Sequence, residues 1–333
     1  MQRCLDLALL GEGFVAPNPL VGCVIVYKNQ IVSEGYHQKY GDAHAEVNAF
    51  ANLPDTVDPK LCDVYVNLEP CAHFGNTPPC ANLIVEKQAK RLIVGMLDPN
   101  PLVAGKGLER IREAGIDVTI GVLEEESKNL NKKFITYHLK KRPFITLKWA
   151  ETADGYMGRD SDNSASKQIS AKRNNYIVHK LRANHQAILV GANTVNNDDP
   201  LLNVRFAEGN NPIKIVLSKS MTLNESARLL KSDRTIVYNA IKSGTDANVE
   251  YVKLPILSLD SILADLHMRK IQSVLIEGGA EVLGQFIDSA LWDEALILKS
   301  ETEWVSGIKA PFLGIKCVKN ETCYGDTLKY FVR

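Results

Sequence analysis

The triplet His44-Ala45-Glu46 is followed by Glu69-Pro70-Cys71, and Cys80 comes after eight further residues. One imidazole and two thiolates supply three zinc ligands and leave the fourth tetrahedral position to a water molecule. An open position suits hydrolysis, because zinc lowers the pKa of bound water towards about 7. Each element alone also fits a solvated helix start or an unpaired cysteine, so the prediction of a zinc site depends on their combination and order. His73, two residues after the first cysteine, is an alternative ligand.

The spacing also predicts where these residues lie on helices. Residues i and i+2 of a helix body point about 200° apart, so His44 and Glu46 converge only at a helix N-terminus. Gly41-Asp42 precedes the motif, and Asp42 is the predicted N-cap. Cys80 follows Pro78-Pro79 and opens the next helical stretch, a position where proline is tolerated. Two helix N-termini at the metal would favour thiolate ligands.

Strand-like and helix-like segments alternate along the chain, which predicts layered α/β structure in both halves. At about 150 residues per domain, 333 residues correspond to two domains. The basic run Lys140-Lys141-Arg142 ends a polar helical stretch just before Pro143, where a new strand pattern starts. We therefore predict domains over residues 1–142 and 143–333.

The composition narrows the function classes. The 39 Lys+Arg balance 39 Asp+Glu, and the balance holds in each half: 16 basic and 17 acidic residues up to Arg142, then 23 and 22. No basic half therefore exists to bind nucleic acid. No apolar run approaches the roughly 18 residues of a membrane span, and the N-terminus does not read as a signal peptide. The chain has seven cysteines, an odd number, and no predicted export signal, so reduced thiols are favoured over disulfides. We expect a cytoplasmic protein with a small-molecule substrate, no nucleic-acid partner and no membrane partner.

The second half has two candidate ligand-binding clusters. Ile276-Glu277-Gly278-Gly279 follows a short apolar run and precedes a helical one, a turn where backbone can approach a phosphate. The pair of glycines also fits a plain tight turn, and the third glycine of the dinucleotide-binding fingerprint is missing. The segment from Gly191 to Arg205 contains Thr194 and Asp198-Asp199, and by itself it reads as a polar loop.

The first half resembles the zinc deaminases, whose His-x-Glu and Pro-Cys…Cys elements hold zinc while the glutamate moves protons. The long cysteine spacing, with Pro17-Asn18-Pro19-Leu20-Val21-Gly22 and Asp98-Pro99-Asn100-Pro101, is similar to the bifunctional riboflavin-biosynthesis deaminase–reductases. The resemblance runs from about Asp6 to Lys133. It implies a cytidine-deaminase-like three-layer α/β/α domain.

By this resemblance, His44, Cys71 and Cys80 hold zinc and Glu46 is the proton shuttle. Asn18 and His73 face the pyrimidine, although turn or capping duty is the alternative for both. One position departs from the family pattern: Asn76 stands where relatives often carry a cation, which puts a substrate-phosphate contact in doubt.

The second half resembles the reductase half of the same family from about Pro143 to Ser300. It implies an α/β domain similar to dihydrofolate reductase that uses NADPH. Positions that match the family's cofactor contacts are Ala150, Gln168, Thr194, Asp198, Ser218, Gly279, Ala280, Glu281, Val282, Leu283, Gly284 and Gln285. Positions that match its substrate contacts are Ser166, Arg182, Leu202, Arg205 and Glu277. Arginine is well matched to a ribose phosphate, since guanidinium groups bind phosphate in bidentate fashion.

Three points in this half stay open at the level of sequence. Gln168 replaces a common aromatic residue, so cofactor packing there is in doubt. Lys148, Asp154 and Glu277 are the candidates for a proton donor. Arg182 also fits a surface helix position.

The resemblance implies hydrolytic deamination of 2,5-diamino-6-(5-phosphoribosylamino)pyrimidin-4(3H)-one, then reduction of its ribosyl chain to ribityl, by a homo-oligomer (a dimer or tetramer). One alternative is a zinc deaminase that acts on nucleic acid, such as tRNA adenosine, with a non-catalytic second domain. Another is a zinc-stabilised interaction protein. The balanced charge and the second half argue against the nucleic-acid enzyme.

Overall fold

The computed structural model describes residues 1–72, 78–100, 104–159 and 168–333. The chain divides into two compact units, Met1–Lys141 and Arg142–Arg333. Each unit has its own sheet and its own apolar cores. Among the described residues, no helix has the length and hydropathy needed to cross a membrane.

The N-terminal unit alternates strands and helices. In chain order its elements are α1 (Gln2–Leu9), β1 (Gly22–Tyr27), β2 (Gln30–Tyr36), α2 (Ala45–Ala51), β3 (Asp63–Leu68), α3 (Cys80–Lys87), β4 (Arg91–Met96), α4 (Lys106–Glu113), β5 (Asp117–Ile120), α5 (Glu124–Leu130) and α6 (Lys132–Lys140). The strand order is β2-β1-β3-β4-β5. Strands β1 and β2 form an antiparallel hairpin whose turn residues Lys28 and Asn29 have φ of 49° and 63°, the left-handed conformation that two-residue hairpin turns favour. Strands β3, β4 and β5 run parallel.

Helices cover both faces of this sheet. On one face α2, α3 and α4 pack against alternate residues of the central strands, among them Val64, Val66 and Leu92. On the other face Cys4 and Leu7 of α1 pack against Val24 of β1. The unit is therefore a three-layer α/β/α structure. Strands β1 and β4 are mostly buried on both faces, which accounts for their nearly continuous apolar sequence.

Helix α1 lies unusually close to the start of β1. A Cβ atom added to Gly22 would lie 2.1 Å from the carbonyl oxygen of Cys4. Only glycine fits this contact between two backbones, because the atom it would meet belongs to a helix rather than to a flexible side chain.

We expect Gly22→Ala to destabilise the N-terminal unit by about 1–3 kcal/mol, the usual cost of overpacking. Denaturant unfolding monitored in that unit measures the change. Gly284→Ala in the other unit is the control: its added Cβ would meet no atom within 4 Å, so its effect is expected to be neutral or mildly stabilising. Equal unfolding midpoints for Gly22→Ala and the wild type would contradict the contact.

The C-terminal unit is a larger α/β structure. In chain order its elements are β6 (Phe144–Glu151), β7 (Tyr156–Gly158), α7 (Asn175–Ala183), β8 (Ala187–Gly191), α8 (Ala192–Asp198), β9 (Ile213–Leu217), β10 (Thr235–Asn239), β11 (Gly244–Asp246), β12 (Val249–Lys253), α9 (Leu259–Met268), β13 (Ser273–Ile276), α10 (Ala280–Asp288), β14 (Glu294–Lys299), β15 (Ile308–Lys309), β16 (Lys319–Cys323) and β17 (Asp326–Val332). The main sheet has the order β11-β12-β10-β9-β8-β13-β6-β14-β17-β16. From β12 to β14 the neighbouring strands are parallel, and antiparallel strands flank this block on both sides.

The parallel block determines where functional residues gather. Strand β13 lies between β8 and β6, and β8 and β13 lead into α8 and α10 at the carboxyl edge of the sheet. Ligands of open α/β sheets bind at this edge. A Cβ atom added to Gly279 would lie 3.5 Å from Thr194 Oγ1, so the two clusters noted in the sequence meet there. The expected polar loop after Gly191 is instead the short helix α8.

Candidate active sites

Three predicted metal ligands lie together in the N-terminal unit. His44 Nδ1 lies 3.3 Å from Cys80 Sγ and 3.6 Å from Cys71 Sγ, and one ligand atom from each residue lies within 4.8 Å of the others. With Zn–S bonds of about 2.3 Å and Zn–N bonds of about 2.0 Å, tetrahedral ligands lie roughly 3.5–3.8 Å apart. The donor set and its spacing therefore fit zinc, and the predicted ligand set agrees with this geometry.

The ligands come from two helix starts and from the segment that follows β3. His44 is the N-cap of α2, with φ −72° and ψ 164°, and Cys80 is the first residue of α3. The predicted N-cap, Asp42, is wrong by two residues: its backbone N–H bonds to Lys39, so residues 39–42 close a separate turn before the helix begins. His44 and Glu46 nevertheless lie at the helix N-terminus, as their convergence on one metal requires.

Cys71 is the thiol that ionises most readily in this cluster. The Cys80 side chain, followed by His44, lowers the pKa of Cys71 well below its usual value. The backbone N–H of Cys80 also donates to Cys71 Sγ over 3.3 Å. A thiolate held in this way is prepared to bind a metal cation.

Glu46 lies in the first turn of α2 and is 3% exposed. Burial, followed by the nearby Cys71 thiolate, raises the pKa of Glu46 to about 7. A carboxyl group with this pKa both accepts and releases a proton near neutral pH, which is the property required of a general acid–base group.

His37 is a buried residue of this site that the sequence analysis missed. Its Nε2 lies 3.0 Å from Asn18 Nδ2 and its Nδ1 lies 3.1 Å from the carbonyl oxygen of Ala43. Its ring meets the ring of His44 edge-on, with centroids 5.5 Å apart. Burial lowers the pKa of His37. No local motif marks this histidine in the sequence, because its contacts arise from the way β2 and its following turn pack.

The segment that carries Asn18 is held by two further asparagines that sequence reasoning did not select. Asn131 Oδ1 accepts a hydrogen bond from the backbone N–H of Leu20. Asn67 Oδ1 accepts from the backbone N–H of Gly22, and its Nδ2 donates to the Leu20 carbonyl. These contacts hold the backbone that directly follows Pro17-Asn18-Pro19.

In the C-terminal unit, Glu277 forms a charged cluster with two cations from different strands and helices. Arg182 of α7 donates from Nε and Nη2 to the two carboxylate oxygens over 2.8 and 2.9 Å, and Lys148 Nζ of β6 lies 3.5 Å away. The Glu277 side chain is 8% exposed. Burial alone would raise the pKa of Glu277, but Lys148 and Arg182 outweigh it and lower the pKa to about 2.

The structure separates the three candidate proton donors. Lys148 and Glu277 lie in the charged cluster. Asp154 instead accepts hydrogen bonds from Thr152 Oγ1 and from the backbone N–H groups of Trp304 and Val305. This arrangement gives Asp154 the role of fixing a turn.

The cofactor-matching residues lie mainly at the carboxyl edge of the sheet. Ala280 to Gln285 form the body of α10, and Asp198 ends α8. Ser218 follows β9; its hydroxyl is buried and has no hydrogen-bond partner among the described residues. Ala150 lies on β6, and Gln168 Nε2 donates to the carbonyl of Ser170.

The remaining substrate-matching residues lie on the segment after α8. The Leu202 side chain is 4% exposed and belongs to an apolar core, at a backbone φ of 52°. Arg205 is exposed, and its backbone N–H donates to Nδ1 of the buried His179 over 2.8 Å. His73, Ser166 and Asn76 lie outside the described residues.

Comparison with known proteins identifies matches for both units. Residues 1–96 match the "Cytidine and deoxycytidylate deaminase zinc-binding region", and residues 143–299 match the "RibD C-terminal domain". The chain is 38% identical to the riboflavin biosynthesis protein RibD of Aquifex aeolicus over 327 residues, which cover 96% of this chain and 91% of that protein. It is 39% identical to RibD of Bacillus amyloliquefaciens over 306 residues, covering 88% and 81% of the two chains.

Two solved structures resemble the fold of this protein over nearly the whole chain. A Thermotoga maritima protein described as a diaminohydroxyphosphoribosylaminopyrimidine deaminase/5-amino-6-(5-phosphoribosylamino)uracil reductase has a TM-score of 0.90 and 37% identity, covering 99% of this chain and 96% of that one. RibD of Acinetobacter baumannii has a TM-score of 0.90 and 31% identity, covering 99% and 97%.

A zinc-ligand cluster in a cytidine-deaminase-like unit, joined in one chain to a reductase unit, defines a two-domain enzyme that is both a hydrolase and an oxidoreductase. The chain belongs to the RibD family of riboflavin-biosynthesis enzymes, which pair a zinc-dependent deaminase with an NADPH-dependent reductase. The predicted family, fold class, bifunctional activity and cofactors are thereby confirmed.

We expect the purified chain to bind about one zinc ion, and Cys80→Ala to lose it, because two protein ligands hold zinc far more weakly than three. Metal analysis after dialysis measures the loss. Cys323→Ala, at a cysteine of the other unit, is the control and should retain zinc. Full zinc content in Cys80→Ala would contradict the ligand set.

Proposed function

We propose that the N-terminal site hydrolyses the amino group of 2,5-diamino-6-(5-phosphoribosylamino)pyrimidin-4(3H)-one and that the C-terminal site then reduces the ribosyl chain to ribityl. The product is 5-amino-6-(5-phosphoribitylamino)uracil. The observation that carries the proposal is the His44, Cys71 and Cys80 cluster with the buried Glu46 beside it. The name of the Thermotoga relative supports this substrate and this order of reactions.

In the deaminase site, His44, Cys71 and Cys80 would hold zinc. Zinc, when bound, supplies Lewis-acid chemistry that makes water nucleophilic near neutral pH. Glu46 takes a proton from the attacking water and passes it to the ring nitrogen beside the reacting carbon. It then carries the proton of the new hydroxyl group to the departing amino group, so the C–N bond breaks and ammonia leaves as the carbonyl forms. Asn18 and His73 would orient the pyrimidine. The burial of Glu46 in the first turn of α2, beside the metal ligands, supports its role in both proton transfers.

In the reductase site, NADPH when bound supplies the hydride. The cofactor would lie along the carboxyl edge of the sheet, against Thr194, Ser218 and the start of α10. The buried hydroxyl of Ser218 without a partner supports a polar ligand there. The other cofactor residues in this proposal are Ala150, Gln168, Asp198 and Gly279 to Gln285.

The substrate would lie beside the charged cluster. Glu277 aligns the guanidinium of Arg182 through two hydrogen bonds. Lys148 completes the cluster and is better placed to donate a proton than Asp154, which lies outside the cluster. Ser166 and Arg205 would contact the substrate, and Leu202 would do so through its backbone, since its side chain is buried in the core. Arg205 is exposed and available for a phosphate.

The proposal extends to organisation and location. We assign residues 1–142 to the deaminase domain and residues 143–333 to the reductase domain; the two compact units support this division. We further propose a cytoplasmic homo-oligomer, a dimer or tetramer. Family membership weighs against the nucleic-acid deaminase and against a zinc-stabilised interaction protein.

The test supplies the diaminopyrimidine phosphate to the zinc-loaded enzyme and follows ammonia release and NADPH oxidation separately. Ammonia is expected first, and NADPH is consumed only once deaminated product is present. A chain that oxidises NADPH with the substrate without releasing ammonia would refute the proposed order.

A further inference from the structure

We propose that His37 is a positioning residue that sets the amide of Asn18, so that Asn18 presents its carbonyl oxygen to the substrate. The inference rests on the proposed deaminase function. Asn18 then acts towards the substrate as a hydrogen-bond acceptor, and His37 holds its amide in the orientation that this requires.

The first step concerns which ring nitrogen of His37 carries the proton. His37 is 2% exposed, so the neutral ring is favoured, and a neutral imidazole carries a proton on one nitrogen alone. Nδ1 lies 3.1 Å from the carbonyl oxygen of Ala43, which can only accept. Nδ1 therefore carries the proton and donates it to Ala43.

The second step concerns the amide. With its proton on Nδ1, His37 offers a lone pair at Nε2, and only a donor can approach it. Asn18 Nδ2 occupies that position at 3.0 Å. The opposite amide orientation would place the carbonyl oxygen of Asn18 against a lone pair, which is repulsive. The Ala43 carbonyl therefore fixes the proton of His37 on Nδ1, and the unprotonated Nε2 in turn fixes the orientation of the Asn18 amide.

The third step concerns what Asn18 has left to offer. Within the described ranges, no residue donates to Asn18 Oδ1, whereas its Nδ2 is engaged by His37. Asn18 is partly exposed, so this oxygen is not sealed in the core. The group that Asn18 can still offer is therefore an acceptor. Only the ring of His37 lies between Asn18 and the metal ligand His44.

The backbone contacts make this arrangement rigid. The Leu20 carbonyl and N–H on the Asn18 segment are bonded by Asn67 and Asn131. The Ala43 carbonyl, immediately before His44, is fixed by His37 and more weakly by Asn48 Nδ2 at 3.4 Å. His37 thus connects the substrate-facing segment to the start of α2, where a metal ligand and the proton shuttle lie.

The orientation of Asn18 determines which group of the pyrimidine can face it. An acceptor at Asn18 favours a pyrimidine that turns a ring N–H or an exocyclic amino group towards it, and disfavours a carbonyl or an unprotonated ring nitrogen there. This contact holds the ring before and during reaction, so its loss should affect KM more than kcat.

The kinetic test compares His37→Leu, Asn18→Ala and the double variant in zinc-loaded enzyme. We expect His37→Leu and Asn18→Ala each to raise KM for deamination about tenfold, the scale of one hydrogen bond, with zinc content unchanged. The double variant should match Asn18→Ala alone, because His37 acts through Asn18. His37→Gln, which can donate and accept at once, should recover part of the loss, and His267→Leu in the other unit is the control.

A spectroscopic test is independent of turnover. Nitrogen-15 NMR of histidine-labelled, zinc-loaded enzyme should find His37 neutral with its proton on Nδ1. A proton on Nε2, or additive effects of His37→Leu and Asn18→Ala on KM, would overturn the inference. If the wild type releases no ammonia from the diaminopyrimidine, the proposed function fails, and the NMR result still decides the tautomer.

Discussion

Glu46→Gln is expected to slow ammonia release by about 10²–10⁴-fold, the range that a positioned acid–base group contributes. Glutamine has nearly the same shape as glutamate but cannot take a proton from water or return one to the leaving amine. Glu46 lies in the first turn of α2 and is not among the three clustered ligand residues, so we expect zinc content to be unchanged. Single-turnover release of ammonia, measured alongside metal content, gives the result.

Two controls make the Glu46 result specific. Glu86→Gln, at an exposed position of α3, should retain wild-type deamination. The Glu46→Gln enzyme should still reduce substrate that was deaminated beforehand, since the reductase residues belong to the other unit. Ammonia release within a few-fold of wild type in zinc-loaded Glu46→Gln would remove Glu46 from the mechanism.

Glu277→Ala is expected to destabilise the C-terminal unit by roughly 3–5 kcal/mol and to abolish reduction. The change leaves Arg182 and Lys148 largely buried, at 13% and 14% exposed, without their counter-charge. Denaturant unfolding of the C-terminal unit measures the stability, and NADPH oxidation with deaminated substrate measures the activity. Glu321→Gln is the contrast: it removes an exposed pair with Lys319, so it should cost at most about 1 kcal/mol.

Glu277→Gln keeps the shape of the side chain and guards against a variant that fails to fold. It should still lose reduction, while ammonia release stays at the wild-type level. Full reductase activity in a folded Glu277→Gln enzyme would contradict the role of the charged cluster.

The pH dependence of stability follows from the same carboxylate. The folded pKa of Glu277 is about 2, below the value of roughly 4.3 in an unfolded chain. Its contribution is therefore fully present above about pH 4.3 and is lost as the pH falls towards 2. The acid limb of the C-terminal unfolding curve should be shallower in Glu277→Gln than in wild type.

The metal centre could be predicted from sequence because its elements are local signals. A His-x-Glu at a helix start and a proline before each cysteine constrain the side chains within a turn of their own backbone. The strand and helix alternation likewise follows from short-range hydrophobic pattern, and it gave the two α/β units. The cap was misplaced because a separate turn, closed by the Asp42 N–H and the Lys39 carbonyl, comes before the helix, whose N-cap is His44.

Contacts between residues on different strands could not be predicted from local sequence signals. Lys148, Arg182 and Glu277 are each candidates in the sequence, but nothing in their local sequence shows that they form one charged cluster. The placement of β13 beside β6 brings Lys148 and Glu277 to one edge of the sheet. His37 was missed for a similar reason: its partner Asn18 precedes β1 whereas His37 itself follows β2, and the pairing of the two strands brings them together. Helix α8 and the C-terminal strands β15 to β17 have weak local patterns, and tertiary packing decides them.

The zinc ligands span 36 positions, and their ligand atoms come together only in the folded chain. An unfolded chain has no comparable site, so zinc that binds the native state shifts the folding equilibrium by mass action. Each tenfold rise in free zinc above the dissociation constant should add about 1.4 kcal/mol to the stability of the N-terminal unit. Zinc bound at this site should therefore also raise the stability of the N-terminal unit to heat and denaturant. Among the described residues of the C-terminal unit no comparable ligand cluster is found, so we expect its stability not to depend on zinc.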